Sequence, residues 1–381
     1  MGSVQETRKL FTPLHIGDMH LSHRIIMSPL TRKRCPAGIP TPLVAEYYAQ
    51  RATEGGLIIS EGMHPSVMAG NMHGIPGMYA PEHIRAWKVV TDAVHAKGAY
   101  MVCQLWHGIS VQIGGRQPLS SSGTNANFMN AFTPQGRVPT ETAKEMSLED
   151  IRVTIEDHVH AAKCAIEAGF DAVEITAGNG YLCDQFLNSK VNLRTDHCGG
   201  SKENRARFVL ELLDAVIAAI GASKVALRFS PWGMVLMPLD ADPISTFTYV
   251  LSEVEKRGVA YVCLSQPRTD LFLSEDVKWE NIRKALKEGS VNQVEKIDLR
   301  PFEEALKTTP KLSTGGYDGT NCFEEVEKGE LDAITFARWF ISNPDLVEKI
   351  RLGLKLTERN VATTYGDGRE GYTDYPAGEV L

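Results

Sequence analysis

Eight short apolar runs recur along the chain, each followed by a longer stretch of mixed polarity. The runs are Arg24–Met27, Leu57–Ser60, Tyr100–Leu105, Ala172–Ile175, Lys224–Phe229, Ala260–Leu264, Lys311–Ser313 and Ala333–Phe336. Continuous apolar runs of this length, bounded by polar or glycine-rich residues, predict strands buried on both faces. Between them, Pro81–Lys97, Leu148–Ala168, Lys202–Ile220, Ile244–Lys256 and Cys322–Lys328 read as helices. In the second of these, Ile151, Ile155, Val159, Ala162 and Ile166 fall on one helical face. Ser147 with Asp150 forms a loose capping box at its start, and Gly169 stops it before the next strand.

Eight such β/α repeats predict a closed parallel (β/α)8 TIM barrel, with an open doubly wound sheet as the structural alternative. Phe11 to His23 alternates about Gly17-Asp18 and reads as an N-terminal β-hairpin capping the lower end of the barrel. Gly108 to Lys144, after strand three, is polar, rich in Gly, Ser and Pro, and weakly periodic. A loop of that length usually serves function or acts as a lid. We expect one domain over residues 1–381.

Composition narrows the function classes only modestly. Hydrophobic content of 43% and charge of 23% are ordinary for a globular protein, and a net charge of −7 without a basic stripe disfavours nucleic acid. The seven cysteines form no Cys-x-x-Cys, which argues for a reducing compartment and against a zinc site. No apolar run reaches membrane-spanning length, and no targeting signal is complete, since Met1-Gly2 is followed by Glu6 where a myristoylation signal needs Ser or Thr. Cytoplasm is therefore the expected location, as a monomer or homodimer.

In a barrel of this kind, chemistry sits at the carboxyl ends of the strands. Those ends read Ser28-Pro29-Leu30-Thr31, Glu61-Gly62, Gln104-Leu105-Trp106-His107, Thr176 with Asn179 and Tyr181, Arg228, Gln266-Pro267-Arg268, Gly315-Gly316 and Arg338. No carboxylate pair dominates the set. His107 stands alone, and His158 and His160 fall on different helix faces, so no metal site is expected. Neutral hydrogen-bonding groups, a few arginines and glycines at the seventh end suit a flat polar heterocycle carrying a phosphate. Barrel phosphate sites lie after strands seven and eight. Taken one at a time these residues have plain readings too: Arg228 as an ion-pair partner, Tyr181 as a packing residue, Trp106 as core.

The stretch from Ala172 to Phe208, AVEITAGNGYLCDQFLNSKVNLRTDHCGGSKENRARF, resembles the old yellow enzyme family of flavin-dependent ene-reductases. Arg24-Ile-Ile-Met-Ser-Pro-Leu-Thr31, Gln104-Leu-Trp106, Leu227-Arg-Phe-Ser-Pro231 and Phe340-Ile-Ser-Asn-Pro-Asp-Leu346 match in order, so the resemblance covers nearly the whole chain. It implies non-covalent FMN, reduced by NADPH or NADH, acting on the C=C bond of a small enone or enal. Pro29, Leu30 and Thr31 would then line the flavin, Gly62 and Gln104 its pyrimidine edge, and Arg228 the N1–O2 edge, where reduction places negative charge. Gly315, Gly316, Ala337 and Arg338 would hold the phosphate, Ala337 standing where family members often carry glycine.

Tyr181 would be the general acid for the α-carbon, since a phenol of pKa ≈ 10 is protonated at neutral pH. Asn179 and Thr176 would bind the substrate carbonyl, and Trp106, Phe272 and Tyr365 would form pocket walls. The family usually has histidine at the position of Thr176. A hydroxyl is shorter than imidazole, and outright loss of such a donor costs about 2.7–4 kcal/mol. Two alternatives stay open beside simple ene-reduction. One is the same flavin fold running isomerisation, desaturation or reduction of a specialised-metabolite intermediate. The other is a ligand-binding barrel without redox activity.

Overall fold

The structure is a computed structural model that describes residues 8–70, 72–108, 117–123, 130–133, 136–139, 142–268, 274–292 and 294–378. All eight expected strands form and close into one parallel barrel in chain order. They are β1 Ile25–Met27, β2 Leu57–Ile59, β3 Tyr100–Leu105, β4 Ala172–Ala177, β5 Val225–Phe229, β6 Tyr261–Ser265, β7 Lys311–Thr314 and β8 Ala333–Phe336. The open sheet is thereby excluded: β8 pairs with β1, matching Thr335 to Ile26, so no edge remains.

The five expected helices are present as α2 Pro81–His95, α3 Leu148–Glu167, α4 Lys202–Ile220, α5 Pro243–Glu255 and α7 Glu324–Lys328. Three more complete the outer ring: α1 Pro42–Arg51, α6 Glu275–Lys287 and α8 Leu346–Leu352. Ser147 caps α3 as expected, its hydroxyl accepting from the Asp150 amide at 3.1 Å. Ser274 does the same for α6, whose first turn holds Glu275 and Asp276 and whose last holds Lys284 and Lys287. Both charge placements oppose the helix dipole.

Strand alternation sorts the core into two parts. In β4, Val173, Ile175 and Ala177 pack outward in the large cluster shared with the helices. Ala172 packs inward with Ile26, Leu57, Ile59, Val102, Ala226, Tyr261, Cys263, Leu312 and Ala333. Ile16, Met19 and Leu21 of the hairpin Leu14–Ile16/Met19–Leu21 join that inner cluster, so the hairpin plugs the barrel floor. The period of two then carries the polar inward positions upward: Glu174 and Thr176 follow Ala172 on the inner face of β4, and Arg228 follows Ala226 on β5.

The segment after β3 is more regular than its sequence suggests. Leu119–Ser120 pairs with Lys144–Glu145, and Asn130–Thr133 pairs antiparallel with Gly136–Pro139. Residues near the carboxyl end cross back over the top of the barrel. Arg32 donates to the carbonyls of Thr364 and Gly371, and Arg34 to those of Thr363, Thr364, Gly368 and Glu370. Tyr372 stacks on Tyr47 with ring centroids 4.1 Å apart.

Candidate functional site

The barrel top carries a buried polar network centred on a residue the strand-end reading passed over, Glu174. Its carboxylate is fully buried, and Gln104 is its direct neighbour in the β3–β4 register. Oε1 accepts from Gln104 Nε2 at 2.7 Å and from Arg228 Nε at 2.7 Å. Oε2 accepts from Arg228 Nη2 at 3.0 Å and from the Tyr261 hydroxyl at 2.9 Å. Four donors satisfy a carboxylate's acceptor sites, which makes its burial tolerable. The signal was legible: an acid at an inward position of an otherwise apolar strand needs a partner, and Arg228 lies on the adjacent strand.

The plain reading of Arg228 as an ion-pair partner is therefore correct, and it does not exclude a role at a ligand. The pair uses Nε and Nη2; Nη1 takes no part in it. Burial alone would weaken the guanidinium's hold on its proton, but Cys263, Glu174 and Tyr261 together raise its pKa above the ordinary arginine value. It is a permanent, fixed cation.

Thr176 stands beside Arg228 in the β4–β5 register. The strand runs two residues further than its apolar run, so Thr176 is part of it rather than of the loop. Its Oγ1 is buried and has no hydrogen-bond partner among the described residues. After it, the chain turns sharply. Asn179 takes a left-handed backbone, φ 59°, and its amide donates to Ser230 Oγ at 2.6 Å. Gly180 follows with φ 74°, and a Cβ there would stand 2.7 Å from Leu236 Cβ, so this position requires glycine. Its amide donates to Asp184 Oδ2 at 2.8 Å. Asp184 is wholly buried and its pKa is pushed up to about 8, chiefly by desolvation. Ser230 and Asp184, neither of them a sequence candidate, thus hold the turn that presents Asn179 and Tyr181.

Tyr181 precedes the short helix Leu182–Leu187 and meets Trp106 edge to face, ring centroids 4.8 Å apart. Burial, then the neighbouring Tyr365, raises its pKa above the usual phenol value, so it stays protonated. Trp106 in turn abuts Gly62: a Cβ on Gly62 would sit 3.0 Å from the indole and 3.4 Å from Gln104 Oε1. Gly62, Gln104, Trp106 and Tyr181 therefore form one continuous wall across the ends of β2, β3 and β4.

The remaining candidates lie around the rim. Pro29, Leu30 and Thr31 are half-buried where the chain leaves β1. Glu61 holds that loop, Oε2 accepting from the Arg32 amide at 3.2 Å. Gly315 and Gly316 both have positive φ, 104° and 69°, and Arg268 lies across them, Nε donating to the Gly315 carbonyl at 3.3 Å. Ala337 precedes the short helix Arg338–Ser342, and Arg338 itself is exposed. Tyr365 is 55% exposed, under the Lys33 ammonium at 5.0 Å. Phe272 lies outside the described residues.

One expectation needs correction. His107 does not stand alone: the His158 ring lies near-parallel to it, 6.4 Å between centroids. Burial, then His158, lowers the His107 pKa to about 3, so the ring is neutral. No group of three or more His, Cys, Asp or Glu side chains able to hold a metal occurs among the described residues.

The donor set fits a flavin's pyrimidine edge: a fixed cation, an amide with its carbonyl oxygen turned outward, and a threonine hydroxyl at the β1 end. Thr176 Oγ1 and Arg268 Nη2, both buried and unpartnered among the described residues, fit a polar ligand above the barrel. Comparison with known proteins agrees. Residues 9–357 match the NADH:flavin oxidoreductase / NADH oxidase family. The flavin oxidoreductase hxnT of Emericella nidulans is 39% identical, covering 99% of each chain. The 12-oxophytodienoate reductase 2 of Arabidopsis thaliana is 36% identical, covering 98% of this chain and 97% of its own. The structure of morphinone reductase in complex with tetrahydroNAD superposes with a TM-score of 0.85 at 36% identity, covering 97% of this chain and 98% of that one.

Proposed function

The chain belongs to the NADH:flavin oxidoreductase / NADH oxidase family, and from that premise we propose how its residues divide the work of an old yellow enzyme. The activity is FMN-dependent, NAD(P)H-driven reduction of the C=C bond of α,β-unsaturated carbonyl compounds. Bound FMN supplies the carrier of two electrons between the nicotinamide donor and the alkene's β-carbon. Pro29, Leu30 and Thr31 would line it, with Gly62 and Gln104 at its pyrimidine edge. Gly315, Gly316, the Ala337 amide and Arg338 would hold its phosphate.

On this reading Arg228 stabilises negative charge at the N1–O2 edge, a preorganised cation in a site from which water is excluded. Asn179 and Thr176 donate to the substrate's carbonyl oxygen. Tyr181, kept protonated by its burial, delivers a proton to the α-carbon. Trp106 and Tyr365 flank the substrate, and the wall from Trp106 to Tyr181 fixes the phenol's direction. The observation that carries the reading is the convergence of Gln104 and Arg228 on Glu174 directly beside Thr176. One FMN-binding domain over residues 1–381, cytoplasmic and monomeric or homodimeric, accords with a barrel closed by strands from Ile25 to Phe336 and with seven free, buried cysteines.

Thr176 supports a second reading of the substrate, though not of the cofactor. Its unpartnered hydroxyl is a shorter donor than imidazole. The enzyme would then prefer an intermediate whose polar group reaches deeper than a simple enone's, or isomerise or desaturate such a compound. The test is to purify the protein, record its visible spectrum, and follow anaerobic bleaching by NADPH or NADH and reoxidation by cyclohexenone-type enones. A yellow protein reoxidised by enones supports the first reading. Normal FMN binding with slow enone turnover favours the second. A colourless protein that FMN cannot turn yellow sinks both.

A further inference from the structure

Glu174 is buried too deeply, and is too fully engaged by its four donors, to touch a ligand above the barrel. We propose that Glu174 is a positioning residue that tunes the flavin's reduction potential, by neutralising Arg228 and by fixing which end of the Gln104 amide faces the cofactor. The inference rests on the FMN reading above.

Two physical consequences follow from one carboxylate. A carboxylate only accepts, so Gln104 must present its NH2 to Glu174, and does so at 2.7 Å. Its carbonyl oxygen is thereby left on the Gly62 side, within 3.4 Å of where a Cβ on Gly62 would stand. That is an acceptor, the complement of a flavin's N3–H. Without Glu174 nothing else in the network dictates the direction of this amide. The second consequence is electrostatic. Arg228 and Glu174 form a bidentate pair at 2.7 and 3.0 Å, both buried, so their charges nearly cancel at a distance. Arg228 at the N1–O2 edge therefore acts as a muted cation. Tyr261, donating to Glu174 at 2.9 Å, draws some of the carboxylate's charge away from the pair.

The role separates cleanly from mere support of the fold. A structural residue whose loss loosens the site weakens oxidised and reduced FMN alike, and the potential does not move. A residue that sets charge at the N1–O2 edge changes the ratio of the two affinities, and that ratio is the potential.

The experiment compares wild type with Glu174→Gln, measuring FMN affinity by fluorescence titration and the midpoint potential of the bound flavin. The expected result is weaker FMN binding together with a potential raised by at least tenfold in the reduction equilibrium, ~30 mV for a two-electron couple. The raised potential reflects Arg228 left without its counter-charge. An unchanged or lowered potential in a yellow Glu174→Gln protein overturns the proposal and leaves the FMN reading standing. Failure of the wild type itself to bind FMN would instead remove that reading. Glu174→Asp and Tyr261→Phe keep the carboxylate charge and carry the test if Glu174→Gln does not fold. Both should hold the potential within a small fraction of the tenfold shift. A tenfold rise in either, with the charge intact, overturns the proposal.

Discussion

Replacing Glu61 by glutamine should flatten the dependence of stability on pH between about 4.5 and about 7. Glu61 directly precedes Gly62 and is completely buried. Its Oε2 accepts from the Arg32 amide at 3.2 Å, while Oε1 has no partner among the described residues. Desolvation dominates: it raises the pKa from 4.5 to about 7, against the lowering pull of the Arg32 amide and guanidinium and of Arg34. The native state therefore keeps a proton that the unfolded chain has already released. The contribution of Glu61 to stability is fully present below pH ~4.5 and is lost as pH rises through the folded pKa. A shift of that size at ~1.4 kcal/mol per unit is worth about 3 kcal/mol. For 381 residues at ~2.1 cal/mol/K each, the unfolding entropy is ~0.8 kcal/mol/K, so the effect amounts to about 4 °C in Tm.

The assay is thermal unfolding of wild type and Glu61→Gln from pH 4 to pH 8. The readout is the difference between the two curves, not the offset, because the new amide introduces a buried NH2 of its own. Asp184 and Glu303, whose pKa values burial also pushes up, to about 8 and about 7, titrate in both proteins and cancel. The wild type should lose about 4 °C relative to the variant as pH rises from 4.5 to 7.5. Parallel curves would refute the reasoning, and a wild type gaining stability relative to the variant as pH rises would reverse its sign.

Three further outcomes concern the site. Tyr181→Phe should slow alkene reduction at least a hundredfold while flavin reduction by NAD(P)H stays within a few-fold; equal loss in both half-reactions removes Tyr181 as proton donor. Thr176→His should tighten binding of phenols to the oxidised enzyme, seen as a stronger long-wavelength band on titration; unmoved phenol affinity would place Thr176 outside the carbonyl site. Ser230→Ala strips the Asn179 amide of its acceptor at 2.6 Å, a loss of about 1–3 kcal/mol. That loss should appear in substrate KM and phenol affinity, with FMN affinity unchanged; FMN loss of the same size would contradict a role confined to the Asn179 turn.

The comparison of sequence with structure divides by the range over which each interaction acts. Hydrophobic periodicity is local, so all eight strands, the hairpin beneath them and five helices were legible from the chain. Strand polarity with closure fixes which end of each strand faces outward on top, so the sequence alone assigns Gln104, Thr176 and Arg228 to one surface. The α1, α6 and α8 helices were not among those expected, although Thr41-Pro42, Ser274 and Asp345 stand at their starts as helix-initiating residues.

What no local pattern contains is partnership across the barrel. Asn179 and Ser230 lie 51 residues apart, Glu174 and Arg228 54, and Arg32 and Gly371 339. The sequence by itself determined the barrel and the residues at its rim, because apolar spacing and turn chemistry act over a few residues. Only the tertiary structure decided that Glu174 bonds both Gln104 and Arg228, that Asp184 and Ser230 hold the turn bearing Asn179, and that a strap near the carboxyl end is tied to Arg32 and Arg34. A buried charge or an orphaned amide selects its partner by position in space, and that position exists only after the chain has closed.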